Sequence, residues 1–207
     1  MLKVQSLYIK LLHLKSLTKP NELGLLIKRI FDMKLLFATF AVILISFSAT
    51  ADKIWTTHSK KNEMDGKMSF YAFTVKSVKS NSPMNFPYNK VSSFISLACS
   101  HENKAISLSF LFNIAPNIIN KEIITKNFYN IETRIKFGEK ITNVELLQKW
   151  GGRGMALRNN TQYLNVLKNS DELLLELNWQ GNGKQYFKHV ITGFSKVYEE
   201  LKSKCGA

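Results

Sequence analysis

The stretch Leu173-Leu-Leu-Glu-Leu-Asn-Trp-Gln-Gly-Asn-Gly-Lys-Gln-Tyr-Phe-Lys-His-Val190 decides the fold class. Leu173, Leu175, Leu177 and Trp179 alternate with Leu174, Glu176 and Asn178, the two-residue period of a strand. Gly181-Asn182-Gly183 is a tight turn, so residues 172–179 and 185–191 pair as a hairpin. From Gly193 to Lys204 the period changes. Phe194, Val197, Tyr198 and Leu201 fall at i, i+3, i+4 and i+7, one apolar helix face, with Glu199, Glu200, Lys202 and Lys204 on the other.

The period of two continues upstream. Ile131, Thr133, Ile135 and Phe137 alternate with Glu132, Arg134 and Lys136. Ile106, Leu108, Phe110 and Phe112 form one strand face; Ile95, Leu97 and Cys99 form another, which points Cys99 inward. The polar turn 101–104 joins 92–99 to 105–113 as a second hairpin. Tyr71, Phe73 and Val75 mark an earlier strand. Asn160 or Thr161 caps a short helix carrying Tyr163, Leu164 and Leu167. The fold class is therefore α+β and mainly β: an antiparallel sheet or sandwich with a short inserted helix and a C-terminal helix.

The N-terminal quarter reads as an address. After Met33-Lys34, residues 35–47 are apolar, and Ser48-Ala49-Thr50-Ala51 ends in the small-x-small pattern of a cleavage site before Asp52-Lys53. Residues 33–51 are predicted to be a signal peptide cleaved after Ala51, with an uncleaved N-terminal anchor as the alternative. No cysteine follows that would accept a lipid. Residues 1–32, with the break Lys19-Pro20-Asn21, read as an upstream extension of the reading frame outside the fold; an amphipathic segment on the inner membrane face is the alternative. Residues 52–207 are then a single exported domain, and its compartment is the periplasm.

The formal charge of +14 divides into +5 over residues 1–51 and +9 over the rest, 22 basic against 13 acidic residues. A basic surface favours anionic partners. For an exported chain these are envelope components or acidic proteins, with no role for nucleic acid; membrane contact is confined to the uncleaved signal segment. Both cysteines, Cys99 and Cys205, follow the cleavage site, and an even number in an exported chain reads as a disulfide; two free thiols are the alternative.

The order of features is similar to the small periplasmic proteins of the VasI/TagO type associated with type VI secretion systems, which have stand-alone bacterial and prophage relatives. The features are Trp55, a strand ending in cysteine (Ile95-Ser-Leu-Ala-Cys99), a second apolar strand (Ala105-Ile-Ser-Leu-Ser-Phe110) and the alternating strand at 131–137. They continue through Trp150, a short helix, the strand at 173–177, the segment from Phe187 to Gly193, and a helix closing on Cys205. The resemblance spans Trp55 to Cys205. It departs at Ala98, where the pattern has an arginine or similar residue, and in the long segment 114–129. It implies an accessory or binding role and carries over no catalytic residue.

The chain carries few groupings of residues suited to catalysis or metal binding. His58, His101 and His189 lack ligand spacing, so no metal or other cofactor is expected. There is no G-x-S-x-G, and Glu63 and Asp65, the nearest thing to a glycosidase pair, lie in a polar segment. Gly181 and Gly183 lack the spacing of a phosphate loop. The most unusual local feature is Trp150-Gly151-Gly152-Arg153-Gly154, with backbone freedom, an anion-binding guanidinium and a stacking face. It reads as a partner-binding loop, or else as a wide turn with Trp150 buried. The reading is a non-catalytic periplasmic interaction protein that binds a protein or envelope component. The alternative is an inhibitor or immunity protein against an exported toxin or lytic enzyme.

Overall fold

The computed structural model describes residues 53–102 and 104–206. The expected extension, signal peptide and cleavage site lie outside the described residues. The elements run β1 Trp55–Lys61, β2 Met68–Thr74, β3 Val78–Lys79, β4 Ser92–Ser100, β5 Ser107–Phe112, β6 Lys121–Thr125 and β7 Phe128–Phe137. They continue with β8 Lys140–Lys149, β9 Gly154–Leu157, a 3-10 turn Asn160–Tyr163, α1 Leu164–Lys168, β10 Glu172–Trp179, β11 Gly183–Val190 and α2 Phe194–Cys205.

All pairings are antiparallel and build one sheet in the order β1-β2-β4-β5-β9-β8-β7-β10-β11, with β3 beside β4 and β6 beside β7. The sheet curls over a single core. Phe112 of β5 meets Trp179 of β10 and Phe187 of β11 at ring-centroid distances of 5.7 and 5.3 Å, although these strands are far apart in the ladder order. Short β3 ties the far wall back. Lys79 pairs with Ser92 of β4, Ser80 bridges to Phe187, and the Asn81 amide N–H donates to the Tyr186 carbonyl at 2.9 Å. The hairpins at 92–113 and 172–190, the short helix and the C-terminal helix match the sequence pattern.

The register fixes which side chains face inward. Ala72 lies opposite Leu97, and Phe70 opposite Cys99. Leu97 is opposite Leu108, and Ile95 opposite Phe110. Across the far wall Ile131 is opposite Leu146, and Leu175 opposite both Ile135 and Phe187. The same register sets the phase of β2. Tyr71 and Phe73 sit on the outer face of β2, half-buried, and Val75 lies past the strand end at 55% exposure. Ala72 and Thr74 face the core instead, because the pairing with β4 sets the phase and a shift of one residue exchanges the faces. The cap of the short helix differs from the expected one. Asn159, with φ of 52°, precedes the 3-10 turn and no side chain caps it; the Asn160 amide donates to the Ile106 carbonyl at 2.5 Å.

Helix α2 closes the inner face of β2 and β4. Phe194, Val197, Leu201 and Cys205 are buried, and Cys205 is bonded to Cys99 across a separation of 106 residues. Trp55 seats the helix start: its ring meets Phe194 edge-on at 6.0 Å and its Nε1 donates to the Thr192 carbonyl at 3.1 Å. Helix α1 buttresses α2 through Lys168, whose Nζ lies 2.6 Å from Glu199 and 4.6 Å from the centre of the Tyr198 ring.

Four side chains, Ser93, Asn130, Trp179 and His189, each bury a polar atom without a partner, and only His189 leaves two such atoms. His189, 1% exposed and beside Phe110, hydrogen-bonds through neither ring nitrogen to any described residue. Burial pushes its pKa from 6.5 down to about 4, because a charged imidazolium has no solvation there.

Two predictions follow from the packing. Breaking the Cys99–Cys205 bond, with reductant or as Cys205→Ser, releases a long loop in the unfolded chain. It should cost about 2–4 kcal/mol, a fall of roughly 10 °C in melting temperature by calorimetry. His189 binds a proton in the unfolded chain below pH 6.5 but not in the fold until about pH 4. Stability should therefore decline by about 3 kcal/mol as pH falls through that window. Urea titrations of His189→Phe should show a flat profile between pH 6.5 and 5, and a slope like the parent's would refute the assignment.

Candidate interaction site

Loop 150–153 joins β8 to β9 and is a wide turn, as its glycines suggest, but Trp150 is not in the core. It is 68% exposed and packs against the Tyr129 ring at a tilt of 45°, with centroids 5.5 Å apart. Its indole Nε1 bonds to no described residue, so a donor and an aromatic face are both presented outward. The backbone beneath is fixed. The Trp150 amide donates to the Asn127 carbonyl, and the Gly152 amide to the Lys149 carbonyl, each at 2.8 Å. Gln148, buried on the inner side, donates through Nε2 to the carbonyls of Gly152 and Pro116 at 3.0 and 2.9 Å.

The glycines have separate reasons. Gly151 adopts φ of +63°, the left-handed region that a side chain resists. At Gly152 a Cβ would stand 2.9 Å from the Lys149 carbonyl oxygen, and at Gly154 it would stand 3.0 Å from Leu111. Arg153 is exposed, and its carbonyl accepts from the Phe112 amide at 2.9 Å, which joins the loop to β5.

Beside the loop lies a feature that the strand pattern did not disclose. Residues 121–128 are exposed throughout, yet 121–125 form β6, whose only strand partner among the described residues is β7. Ile123 is 71% exposed and lies opposite Tyr129, the ring that supports Trp150. Lys121 places its Nζ 4.9 Å from the centre of the same ring. Ile119, Ile124 and Phe128 are also exposed. Lys121, Lys126, Lys149 and Arg153 surround this apolar edge, with Glu122 the one acid among them. The sequence signal was Ile123-Ile124 inside an otherwise polar segment.

The other residues considered for chemistry lie apart from this surface. Glu63 and Asp65 occupy the exposed turn between β1 and β2; Asp65 pairs with Lys67 at 3.7 Å, and Lys67 with Glu102 at 3.0 Å. His58 lies on β1, His101 in the β4–β5 turn and His189 on β11. Among the described residues no three of His, Cys, Asp and Glu gather as a metal site would require. No described helix is long and apolar enough to cross a membrane. Comparison with known proteins gave no matching family model, no matching curated protein and no matching solved structure.

The two ends of this loop should respond differently to substitution. Trp150→Ala removes a side chain that is mostly in water and should change stability by less than about 0.5 kcal/mol. Gly152→Ala forces a methyl group against a backbone oxygen and should cost about 1–3 kcal/mol in denaturant unfolding.

Proposed function

We propose that this chain is an exported, non-catalytic envelope protein of the VasI/TagO-like, type VI secretion-associated kind or a prophage-encoded relative, and that it works by holding a partner protein. The observation that carries the reading is the exposed Trp150 standing beside the apolar edge of β6. A tryptophan on a rigid loop supplies contact area with little ordering cost, and residues of this type dominate binding energy at interfaces. An edge strand offers backbone groups to which an extended segment can add as a further strand, with side-chain pockets giving selectivity. The cationic rim chooses the occupant: an extended segment with acidic residues flanking a short apolar run. A single disulfide holding the last helix suits an oxidising compartment.

The test is recovery of one defined partner after crosslinking in intact cells. The parent protein, beginning at Asp52 by mass, should retain it. Trp150→Ala and Ile123→Lys should each lower retention at least about tenfold, a loss of about 1.4 kcal/mol. Raised salt should weaken the parent complex as well. Equal retention by all three proteins, or a mature chain that still carries residues 33–51, would remove the basis of the proposal.

A further inference from the structure

A second surface, separate from the Trp150 loop, has the chemistry of a small-molecule site. Across the outer face of β7, β8 and β10 runs a groove of about 570 Å³. Its floor is laid by strand pairing: Glu132 lies opposite Glu145, and Arg134 opposite Asn143. Glu176 and Asn178 come from β10, Lys184 from β11, and Arg158, Asn159 and Gln162 from the segment after β9.

All of its charges but that of Glu132 are paired. Arg134 grips Glu176 with both arms, Nε to Oε1 at 3.1 Å and Nη2 to Oε2 at 2.5 Å, and this fork holds the Glu176 carboxyl below its ordinary pKa. Lys184 adds a longer contact to Glu176 at 3.6 Å, and Arg158 donates to Glu145 at 2.7 Å. Three cations face three carboxylates, so the groove is neutral on a chain that is otherwise strongly basic. An anion would have to take guanidinium donors away from existing partners. A cation would find two of the three carboxylates already claimed.

What remains unengaged is a set of amides. The side chains of Asn143, Asn159, Gln162 and Asn178 make no hydrogen bond to any described residue. Each amide offers two N–H donors and a carbonyl acceptor, and the Glu132 carboxylate adds two more acceptor oxygens. Their backbones are held. The Tyr163 hydroxyl donates to the Asn143 carbonyl at 3.3 Å, the Thr133 hydroxyl to the Glu176 carbonyl, and the Asn120 amide to the Glu132 carbonyl at 2.5 Å. Asn159 stands in the left-handed region that asparagine tolerates.

From this we infer that the groove over β7, β8 and β10 binds an uncharged, hydroxyl-rich ring compound, that is, a saccharide. Closely spaced hydroxyls each need a donor and an acceptor in fixed relation, and a single neutral amide supplies both. A groove of this volume, lined by exposed side chains, suits a short oligosaccharide better than a single buried ring.

The purified full chain would be titrated calorimetrically with maltotriose and tri-N-acetylchitotriose as neutral probes and tri-galacturonate as the anionic one. At least one neutral trisaccharide should bind with Kd of about 1 mM or tighter, hardly altered by salt. Asn143→Ala combined with Asn178→Ala should weaken it about tenfold or more, and Gln162→Ala, on an exposed turn, should weaken it measurably. Trp150→Ala should leave it unchanged, which separates this site from the partner surface. No neutral binding at roughly 10 mM sugar would overturn the inference. So would tighter, salt-sensitive binding of tri-galacturonate, or parent-like affinity in the amide variants.

Discussion

The fold depends on covering the inner face of β2 and β4. A sheet that curls over one core buries its far wall against itself, as Phe112, Trp179 and Phe187 do. The strands nearest the start of the domain are covered differently. Helix α2 is what lies there, fastened at one end by Trp55 against Phe194 and at the other by the Cys99–Cys205 bond. The helix is amphipathic and short, and little of its stability is intrinsic at twelve residues. Tertiary packing and the covalent link supply it.

Much of this architecture was legible from alternation alone. At β5 and β10 the inner positions are apolar and the outer ones mostly polar, so period and burial agree. The reading failed where they separate. In β8, Gln148 occupies an inner position because its amide satisfies the carbonyls of Pro116 and Gly152, so a buried polar residue breaks the pattern. In β6 both faces are wet, and a strand without a dry face has no period to find. In β2 the ladder turns the bulkier Tyr71 and Phe73 outward and gives the inner side to Ala72 and Thr74.

The candidate sites divide in the same manner. The loop 150–154 was visible because three glycines, an arginine and a tryptophan are adjacent in sequence; the exposure of Trp150 was not, since it depends on Tyr129 standing beneath it. The amide groove was wholly hidden, being assembled from segments around residues 120, 132–134, 143–145, 158–163 and 176–184. Only the strand order brings them to one face. The surface therefore carries two unlike chemistries: a cationic, apolar edge at β6, and an electrically balanced groove farther along the same strands.

The anchoring of Trp55 by Thr192 and Phe194 has a consequence for biogenesis. Contacts that span nearly the whole domain cannot form while the polypeptide is still emerging from the ribosome. The opening hairpin must wait, its apolar inner side uncovered, until the final dozen residues are made. High sequence separation slows such closure and lengthens exposure to misassembly. A chain cut short before α2 would thus lose more than a helix: its earliest strands would have nothing to dock against, and quality-control proteases would meet an unfinished sheet.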